Sequence, residues 1–205
     1  MRGFVLNTVK VRDEDLIVRI LTKNEVLTLY RFYGARHSYI NVGYLIDFVV
    51  EESAKTTIKR LRNVVQLSFS FLFNLEKMLN YKIFINLLNT HLNDITKIDN
   101  FYYNLLLKIT NSMQERNSKR LLIESYINLL EKEGRLHKDF ICFLCENKIY
   151  KKVALARGFL PAHEKCIDDK GFSEKKLIEL FENKKTILFN DEEIEKLWKI
   201  MNLGF

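Results

Sequence analysis

The spacing of hydrophobic and polar residues changes once along the chain, near residue 68. Before that point, short runs rich in Val, Ile, Leu and Thr are separated by charged turns, which is typical of β-strands. We predict five strands, at residues 3–11, 15–21, 26–33, 44–52 and 63–67. Five short strands fit a small closed barrel of the OB type, because closure removes the exposed edges of a sheet. An SH3-like barrel would fit the same strand count.

After residue 68, hydrophobic residues recur at steps of three and four, which is the period of an amphipathic helix. Asn100 and Ser118 are predicted to cap two helices, and Gly134 is predicted to stop the second of them. Two shorter helices are predicted to begin near Ser173 and near Asn190. These patterns predict an α+β fold, in which a barrel precedes a helical region.

The predicted domains are an OB-fold nucleic-acid-binding domain at residues 1–70 and a helical domain at residues 71–205. A composition of 47% hydrophobic and 29% charged residues is that of a folded globular chain. No apolar run approaches the ~18 residues of a membrane span. The first ten residues are too polar for a secretory signal, so we expect a cytoplasmic location.

The net charge is +7, and the excess of positive charge lies towards the N-terminus. Residues 1–75 contain 11 Lys and Arg against 7 Asp and Glu, whereas residues 171–205 contain 6 against 7. A basic region suits contacts to a phosphate backbone, whose strength comes from counterion release. The chain is also rich in Lys, Asn and Ile, a bias that A/T-rich coding sequence produces on its own. Charge alone therefore leaves both explanations open.

All three cysteines and one of the four histidines lie in one short window, as Cys142-x2-Cys145 and His163-x2-Cys166. Two such pairs let two tight turns place four ligands around one ion, which is how zinc ribbons and knuckles bind zinc. We predict a zinc-binding module at residues 140–168, inside the helical domain. Four protein ligands leave no open position, so the zinc would be structural. Alternatively, the cysteines fill an apolar core and His163 is an ordinary surface residue.

Motifs that would indicate an enzyme are missing from the sequence. There is no glycine-rich phosphate loop, no G-x-S-x-G turn and no His-Glu-x-x-His helix. The acidic residues Asp13, Glu14 and Asp15 are more typical of a solvated turn than of acid–base catalysis. We therefore predict no catalytic residue and a protein that is not an enzyme.

Several short segments together resemble the bacterial RecO family. The opening Gly3-Phe4-Val5-Leu6, the turn ending in Glu14-Asp15, and the strand from Leu16 to Thr22 are similar to the start of RecO proteins. The loop Gly34-Ala35-Arg36 resembles the family's Gly-Ala-Arg loop. The segment 131–136, shortly before Cys142-x2-Cys145, resembles the family's approach to its cysteine pair. The chain departs from the family in His137, where proline is usual, and in His163, where many members have cysteine.

This resemblance implies a recombination mediator in DNA repair. RecO-like proteins bind single- and double-stranded DNA and anneal complementary strands. With RecR they help to load RecA onto DNA coated by single-strand-binding protein, and they dock on the C-terminal tail of that protein. The resemblance also implies an N-terminal OB domain, a helical domain and, in many members, a zinc module. No nucleotide cofactor is expected for such a role.

A single-strand binder needs cations that follow the phosphates and aromatic rings on which bases stack. The strand and loop from Tyr30 to Tyr39 contain both. We predict that the phosphate backbone is contacted by Arg31, Arg36 and His37. Outer cations that add to this contact are Lys10, Arg12 and Arg19. The residues predicted to stack on bases are Tyr33 and Tyr39.

Two rival classes remain open at the level of sequence. One is a different nucleic-acid module, such as an RNA-binding or transcription-associated OB or zinc-ribbon protein, which a preference for RNA would indicate. The other is a protein-interaction scaffold whose basic surface receives acidic peptide tails. Alternating aromatic residues in the third strand could also simply fill the barrel, which is the expectation for Tyr30 and Phe32.

Overall fold

A computed structural model describes residues 1–12, 14–36, 40–52 and 57–205, and in it the alternating segment forms five strands. The strands are β1 (Arg2–Val11), β2 (Asp15–Leu21), β3 (Val26–Arg31), β4 (Leu45–Glu51) and β5 (Arg60–Leu67). They close into a barrel in the order β1-β2-β3-β5-β4. Strand β1 pairs antiparallel with both β2 and β4, and β3 pairs parallel with β5 at Tyr30 and Arg60. The predicted OB-type barrel is confirmed.

The barrel interior is filled by the apolar residues that the alternation places on one face of each strand. Val5, Val18, Ile20, Leu29 and Phe48 are all buried in this core. The side chains of a strand point alternately to its two faces, so every second residue contributes to the core. This is why apolar runs with period-two character indicated where most of the strands lie.

The start of β5 differs from the sequence prediction, which placed it at residue 63. The strand begins at Arg60, and Asn63 lies inside it with φ of +47°. The register between β4 and β5 shifts at this point, because Asp47 pairs with Val65 while Val49 pairs with Arg62. A bulge of this kind adds a residue to one strand and interrupts the period-two pattern. The strand was therefore visible in the sequence only beyond the bulge.

Two helices pack on the barrel within the first compact unit, Met1–Glu115. A short 3-10 turn, Ser70–Phe73, leads into α1 (Leu75–His91), and α2 (Phe101–Ser112) follows. The side chain of Asn74 caps α1 by accepting the N–H of Lys77 at 3.0 Å. The ring of Tyr103 on α2 lies 5.5 Å from that of Phe4 on β1, so aromatic packing joins helix and strand.

The second compact unit, Arg116–Phe205, contains the other helices. They are α3 (Ser118–Lys132), a one-turn α4 (Glu164–Ile167), α5 (Glu174–Asn183) and α6 (Asp191–Met201). Asn117, rather than the predicted Ser118, caps α3, and it accepts the N–H of Arg120 at 3.1 Å. Gly134 follows the helix with φ of +69°, as a C-terminal stop requires. Asn190 and Glu193 form a reciprocal capping box at the start of α6.

A small three-stranded sheet accompanies these helices, in the order β7-β6-β8. Its strands are β6 (Lys152–Leu155), β7 (Pro161–Ala162) and β8 (Phe172–Ser173). Within the described ranges, no helix combines the length and the apolar character that a membrane crossing would need. The first compact unit contains the barrel and its two packed helices and ends at Glu115. The predicted domain boundary after residue 70 stays a prediction.

Candidate metal centre and nucleic-acid surface

The first pair of candidate ligands lies on a tight turn between Phe140 and Ile149. The N–H of Cys142 donates to the carbonyl of Asn147 at 2.9 Å, and the N–H of Glu146 donates to the carbonyl of Cys142 at 2.8 Å. Glu146 has φ of +59°, which reverses the chain directly after Cys145. The turn therefore directs both sulfur atoms to one side.

The second pair lies at the start of the one-turn helix α4. His163 precedes the helix, and the N–H of Cys166 donates to the carbonyl of His163 at 2.9 Å. The N–H of Phe143 donates to the carbonyl of Pro161 at 3.0 Å, which holds the first turn beside the second. Backbone hydrogen bonds thus bring together two pairs separated by seventeen residues of sequence.

The four ligand atoms of Cys142, Cys145, His163 and Cys166 all lie within 4.8 Å of one another. Nδ1 of His163 is 3.3 Å from Sγ of Cys145 and 3.9 Å from Sγ of Cys166, and these two sulfur atoms are 4.0 Å apart. Tetrahedral zinc, with bonds of about 2.3 Å to sulfur and 2.0–2.1 Å to nitrogen, requires edges of about 3.5–3.8 Å. The three observed separations each differ from the corresponding tetrahedral edge by less than about 0.4 Å.

The electrostatics of this cluster favour a cation. Burial raises the pKa of Cys142, but the N–H groups of Cys145, His163 and Leu144 point at its sulfur and hold that pKa down at about 6. The buried thiolate in turn raises the pKa of His163 by accepting a hydrogen bond from it. Desolvation and the two nearby sulfur atoms raise the pKa of Cys166 to about 11. Several thiolates cannot coexist here without a positive charge to offset their repulsion.

The imidazole of His163 is oriented for binding through one nitrogen. Its Nε2 lies 3.3 Å from the carbonyl of Lys148, whereas its Nδ1 faces the sulfur atoms. If a metal ion displaced the proton that Nδ1 shares with the sulfur atoms, a hydrogen bond from Nε2 to the Lys148 carbonyl would leave the Nδ1 lone pair for the ion, which is the common second-shell arrangement of a metal-binding histidine. Three sulfur ligands and one nitrogen form a closed candidate metal site that suits zinc.

Arg31 is the central residue of the predicted nucleic-acid surface, and its guanidinium is only partly engaged. Nη1 donates to the carbonyl of Leu61 on β5 at 3.1 Å. Nε is buried and finds no acceptor within the described part of the chain. Burial first, and then the charge of Arg62, lower the pKa of this guanidinium. The described residues thus give the Arg31 guanidinium a neutral carbonyl and no carboxylate to offset its charge.

Aromatic rings lie next to this cation at the end of β3. The side chain of Tyr33 is 57% exposed and that of Phe32 is 37% exposed. The guanidinium of Arg60 lies 5.2 Å from the centre of the Phe32 ring. Phe32 also makes an edge contact with Tyr30, at 4.9 Å between ring centres. Phe32, which was expected to fill the barrel, lies beyond the end of β3 and is partly exposed instead. Tyr33 is exposed, and its role as a stacking residue stays a prediction.

Neighbouring cations at this end of the barrel are paired with exposed carboxylates. Arg62 lies 2.9 Å from Glu51, and Lys59 lies 2.7 Å from Glu52. Exposed ion pairs of this type contribute little to stability and are screened by salt. A phosphate group can therefore compete for these cations at low free-energy cost.

The three predicted outer cations have different surroundings. Lys10 and Arg12 are exposed at the end of β1. Arg19 instead donates to the carbonyl and side-chain oxygens of Asn89, each at 2.9 Å, and to the carbonyl of Leu92. These acceptors lie at the C-terminal end of α1, so Arg19 joins β2 to that helix. Its proposed contact with DNA stays a prediction.

The remaining predicted contacts belong to the loop after β3. Gly34–Arg36 forms a 3-10 turn, and the N–H of Ala35 donates to the carbonyl of Glu14 at 2.8 Å. The backbone of Arg36 thus lies in a turn that is tied to the β1–β2 turn. His37 and Tyr39 lie outside the described residues.

Sequence reasoning missed the role of Asp15, which was read as part of a solvated acidic turn. Asp15 is buried; it accepts a hydrogen bond from the hydroxyl of Tyr30 and, at 2.8 Å, from the N–H of Tyr33. Its carboxylate therefore fixes the end of β3, where Tyr33 has φ of +52°. Leu16, Val18 and Ile20 fill the barrel core, so Asp15 belongs to the other face of β2, and the sequence carried no signal that its carboxylate would be buried.

A closed OB-type barrel followed by helices, with a Cys/His cluster in the second unit, defines a barrel-and-helix protein that carries a candidate metal site. Residues 1–72 match the protein-family model described as RecO N terminal. This match covers about a third of the chain and confirms the resemblance of its N-terminal segments to the RecO family. It covers the barrel and all but the last residue of the 3-10 turn that follows, and no curated protein matches the chain.

Proposed function

We propose that this protein is a DNA-binding recombination mediator that anneals complementary single strands and helps RecR to load RecA onto DNA coated by single-strand-binding protein. The observation that carries this proposal is the closed barrel whose residues match the RecO N-terminal model. Its partners would be single- and double-stranded DNA, RecR and the C-terminal tail of single-strand-binding protein, with RecA engaged indirectly. We propose a cytoplasmic location.

Annealing in this proposal requires no covalent chemistry, and we propose no enzymatic activity. Two DNA strands repel each other through their phosphates, so a protein that neutralises both strands lowers the barrier to pairing. The partly engaged Arg31 and the exposed Lys10 and Arg12 supply positive charge on the barrel. Tyr33 supplies an exposed ring for a base.

We propose that the Cys/His cluster binds one structural zinc ion. The closed set of four ligands gives the ion no position for water or substrate. Its contribution is to hold the turn at Cys142 and Cys145 against the start of α4, which packs near β6. These protein groups do no chemistry on DNA; they maintain the local fold.

The test is a strand-annealing assay with labelled complementary oligonucleotides, either bare or coated with the cognate single-strand-binding protein, over a series of salt concentrations. We expect acceleration without any nucleotide, which persists on coated DNA and declines as salt rises. A variant that changes Arg31 and Arg36 to Ala should lose most of this acceleration.

Other outcomes separate this proposal from its rivals. Tight DNA binding without annealing would contradict the mediator role and favour a generic OB module. A preference for RNA over single-stranded DNA would favour an RNA-binding module. A folded, zinc-loaded protein that binds no nucleic acid but binds acidic peptides would favour a protein-interaction scaffold.

A further inference from the structure

An open cavity of about 640 Å³ lies beside the candidate metal ligands, in the second unit. Its lining combines one aromatic residue, three lysines and two of the candidate ligands. These residues are Tyr150, Lys151, Lys152, Lys165, His163 and Cys166. Glu164 also lines the cavity.

The charge of this cavity is predominantly positive. Lys151, Lys152 and Lys165 are exposed, and none of them pairs with a carboxylate among the residues that the structure describes. The single carboxylate in the lining, that of Glu164, accepts the N–H of Gly171 at 2.7 Å. Three cations without carboxylate partners attract an anion, and the open cavity of about 640 Å³ beside them is accessible to one.

The turn that presents these side chains is held by backbone hydrogen bonds. The N–H of Lys152 donates to the carbonyl of Tyr150 at 2.9 Å, and the N–H of Glu174 donates to the carbonyl of Lys151 at 3.0 Å. Tyr150 is 74% exposed between buried Ile149 and this turn. Lys151 has φ of +71°, a backbone conformation that favours glycine and costs free energy for a lysine.

We propose that the residues Tyr150, Lys151, Lys152 and Lys165 form a second contact for single-stranded nucleic acid, which we call the module contact. An exposed ring next to unpaired cations is the combination that binds a single strand, since a base stacks on the ring and the phosphates meet the lysines. The proposal rests on the proposed function, because annealing requires that one protein holds two strands. The barrel then binds one strand and the module contact binds the other.

The metal ligands set the geometry of the module contact. Tyr150, Lys151 and Lys152 lie in the segment between the two ligand pairs, and Lys165 lies between His163 and Cys166. An ion that joins the pairs therefore also fixes the lysines relative to one another. Removing the metal is expected to weaken the module contact and leave the barrel contact unchanged.

The experiment is a titration of the whole 205-residue chain, loaded with zinc, with oligothymidine of about eight nucleotides, a length within the ~4–16 nucleotides that one OB fold covers. Oligothymidine cannot pair with itself, so the titration counts sites. We expect two oligonucleotides per wild-type chain and one for Lys151→Gln/Lys152→Gln. The salt slope of binding to a longer strand should fall by about 1.4, since each lost phosphate contact removes about 0.7. The annealing rate should fall by about tenfold or more.

The matched control is Lys185→Gln/Lys199→Gln, which removes two exposed lysines of the same unit that do not line the cavity. The control should retain two sites and the wild-type salt slope. Tyr150→Ala should weaken binding at the module contact by about fivefold or more, whereas Tyr150→Phe keeps the ring and should bind normally. Lys151→Gly suits the local backbone, so it should lose affinity without losing thermal stability.

The outcomes separate this inference from the proposed function. A wild-type chain that binds DNA and anneals strands but holds one short oligonucleotide would overturn the module contact alone. Equal losses in the lysine variant and its control would also overturn it, because net charge would then explain the effect. If Lys151→Gln/Lys152→Gln keeps both DNA sites but loses an acidic peptide, the surface serves a protein partner instead. A wild-type chain that binds no DNA would overturn both proposals.

Discussion

At the scale of single residues, Arg19 illustrates how a cation that suits DNA can serve the fold. Its guanidinium binds oxygens of Asn89 and Leu92 at the C-terminal end of α1. A positive charge is favourable there because carbonyl groups at a helix C-terminus lack partners and carry partial negative charge. Burial also lowers the pKa of this guanidinium, although nearby Asp94 acts in the opposite direction.

We predict that Arg19→Ala lowers the free energy of unfolding by about 1–3 kcal/mol, because it leaves helix-end carbonyls without their donor. Lys10→Ala, which removes an exposed cation from the neighbouring strand, should change stability by less than about 0.5 kcal/mol. Urea unfolding of both variants gives the comparison. If Arg19→Ala keeps full stability and loses DNA affinity, Arg19 is a DNA contact and not a tie between strand and helix.

The hydrogen bonds of Asp15 lead to a prediction about how stability depends on pH. The hydrogen bond from Tyr30, and next the bond from the N–H of Tyr33, lower the pKa of Asp15 below its ordinary value of 3.8. A carboxyl group with a lowered pKa in the folded state stabilises that state above pH 3.8, and the contribution is lost as pH falls through the lowered pKa.

We therefore expect the melting temperature of the wild type to fall more steeply between pH 5 and pH 3 than that of Asp15→Asn. At pH 7 the variant should be less stable, because the amide offers Tyr30 and Tyr33 weaker acceptors. Thermal melts at several pH values measure both effects. Parallel curves for the two proteins over the acid range would contradict the assignment.

At the scale of elements, the bounds of a strand or helix were predicted most accurately where one residue pattern extends over the whole element. The strands β1 and β2 were predicted to within one residue at each end, because the charged turn at residues 12–14 separates them and the polar residues 23–25 follow β2. The start of β5 was wrong because the bulge at Asn63 breaks the period. Asn117, not Ser118, caps α3, since either residue offers a suitable oxygen and only the backbone decides between them.

The candidate sites were likewise predictable only where a local pattern encodes them. The ligand spacing predicted that Cys142, Cys145, His163 and Cys166 would meet, since two tight turns need little tertiary information to form. The sequence did not indicate the partner of Arg19 or the burial of Asp15. Both depend on contacts between segments that are distant in sequence or on opposite strands, and no local pattern encodes such contacts.

Zinc removal is expected to loosen the turns that hold the candidate ligands and to leave the barrel strands unchanged. We predict that chelation increases amide hydrogen exchange across residues 140–167, because the ligands join two turns that are otherwise held by a few backbone hydrogen bonds. Strands β1 to β5 contain none of the candidate ligands and should exchange at unchanged rates.

Hydrogen-exchange mass spectrometry with parallel metal analysis provides the measurement. Cys166→Ser should reproduce the effect of the chelator without any chelator present, whereas Ser173→Ala, at the edge of the small sheet, should not. Protein purified without chelator that contains well under one zinc per chain, and that exchanges slowly at residues 140–167, would contradict a zinc site.

At the scale of the whole molecule, the net charge of +7 would add a general attraction to the DNA binding that we propose. General attraction by net charge and specific contacts to phosphates both weaken with salt, so affinity at one salt concentration does not separate them. The slope of log affinity against log salt does, because it counts the cations that replace counterions on the strand.

We predict that Arg31→Ala/Arg36→Ala reduces this slope by about 1.4 on single-stranded DNA, with about 0.7 for each lost phosphate contact. Lys97→Ala/Lys108→Ala removes two exposed cations of the same unit from outside β3 and its loop, and it should leave the slope unchanged. Melting temperatures of both variants must first match the wild type, since Arg31 also donates to Leu61. An unchanged slope in the folded arginine variant would refute the assignment of the strand end and its loop as the barrel's DNA contact. Equal slope reductions in the two variants would mean that net charge alone attracts DNA to this unit.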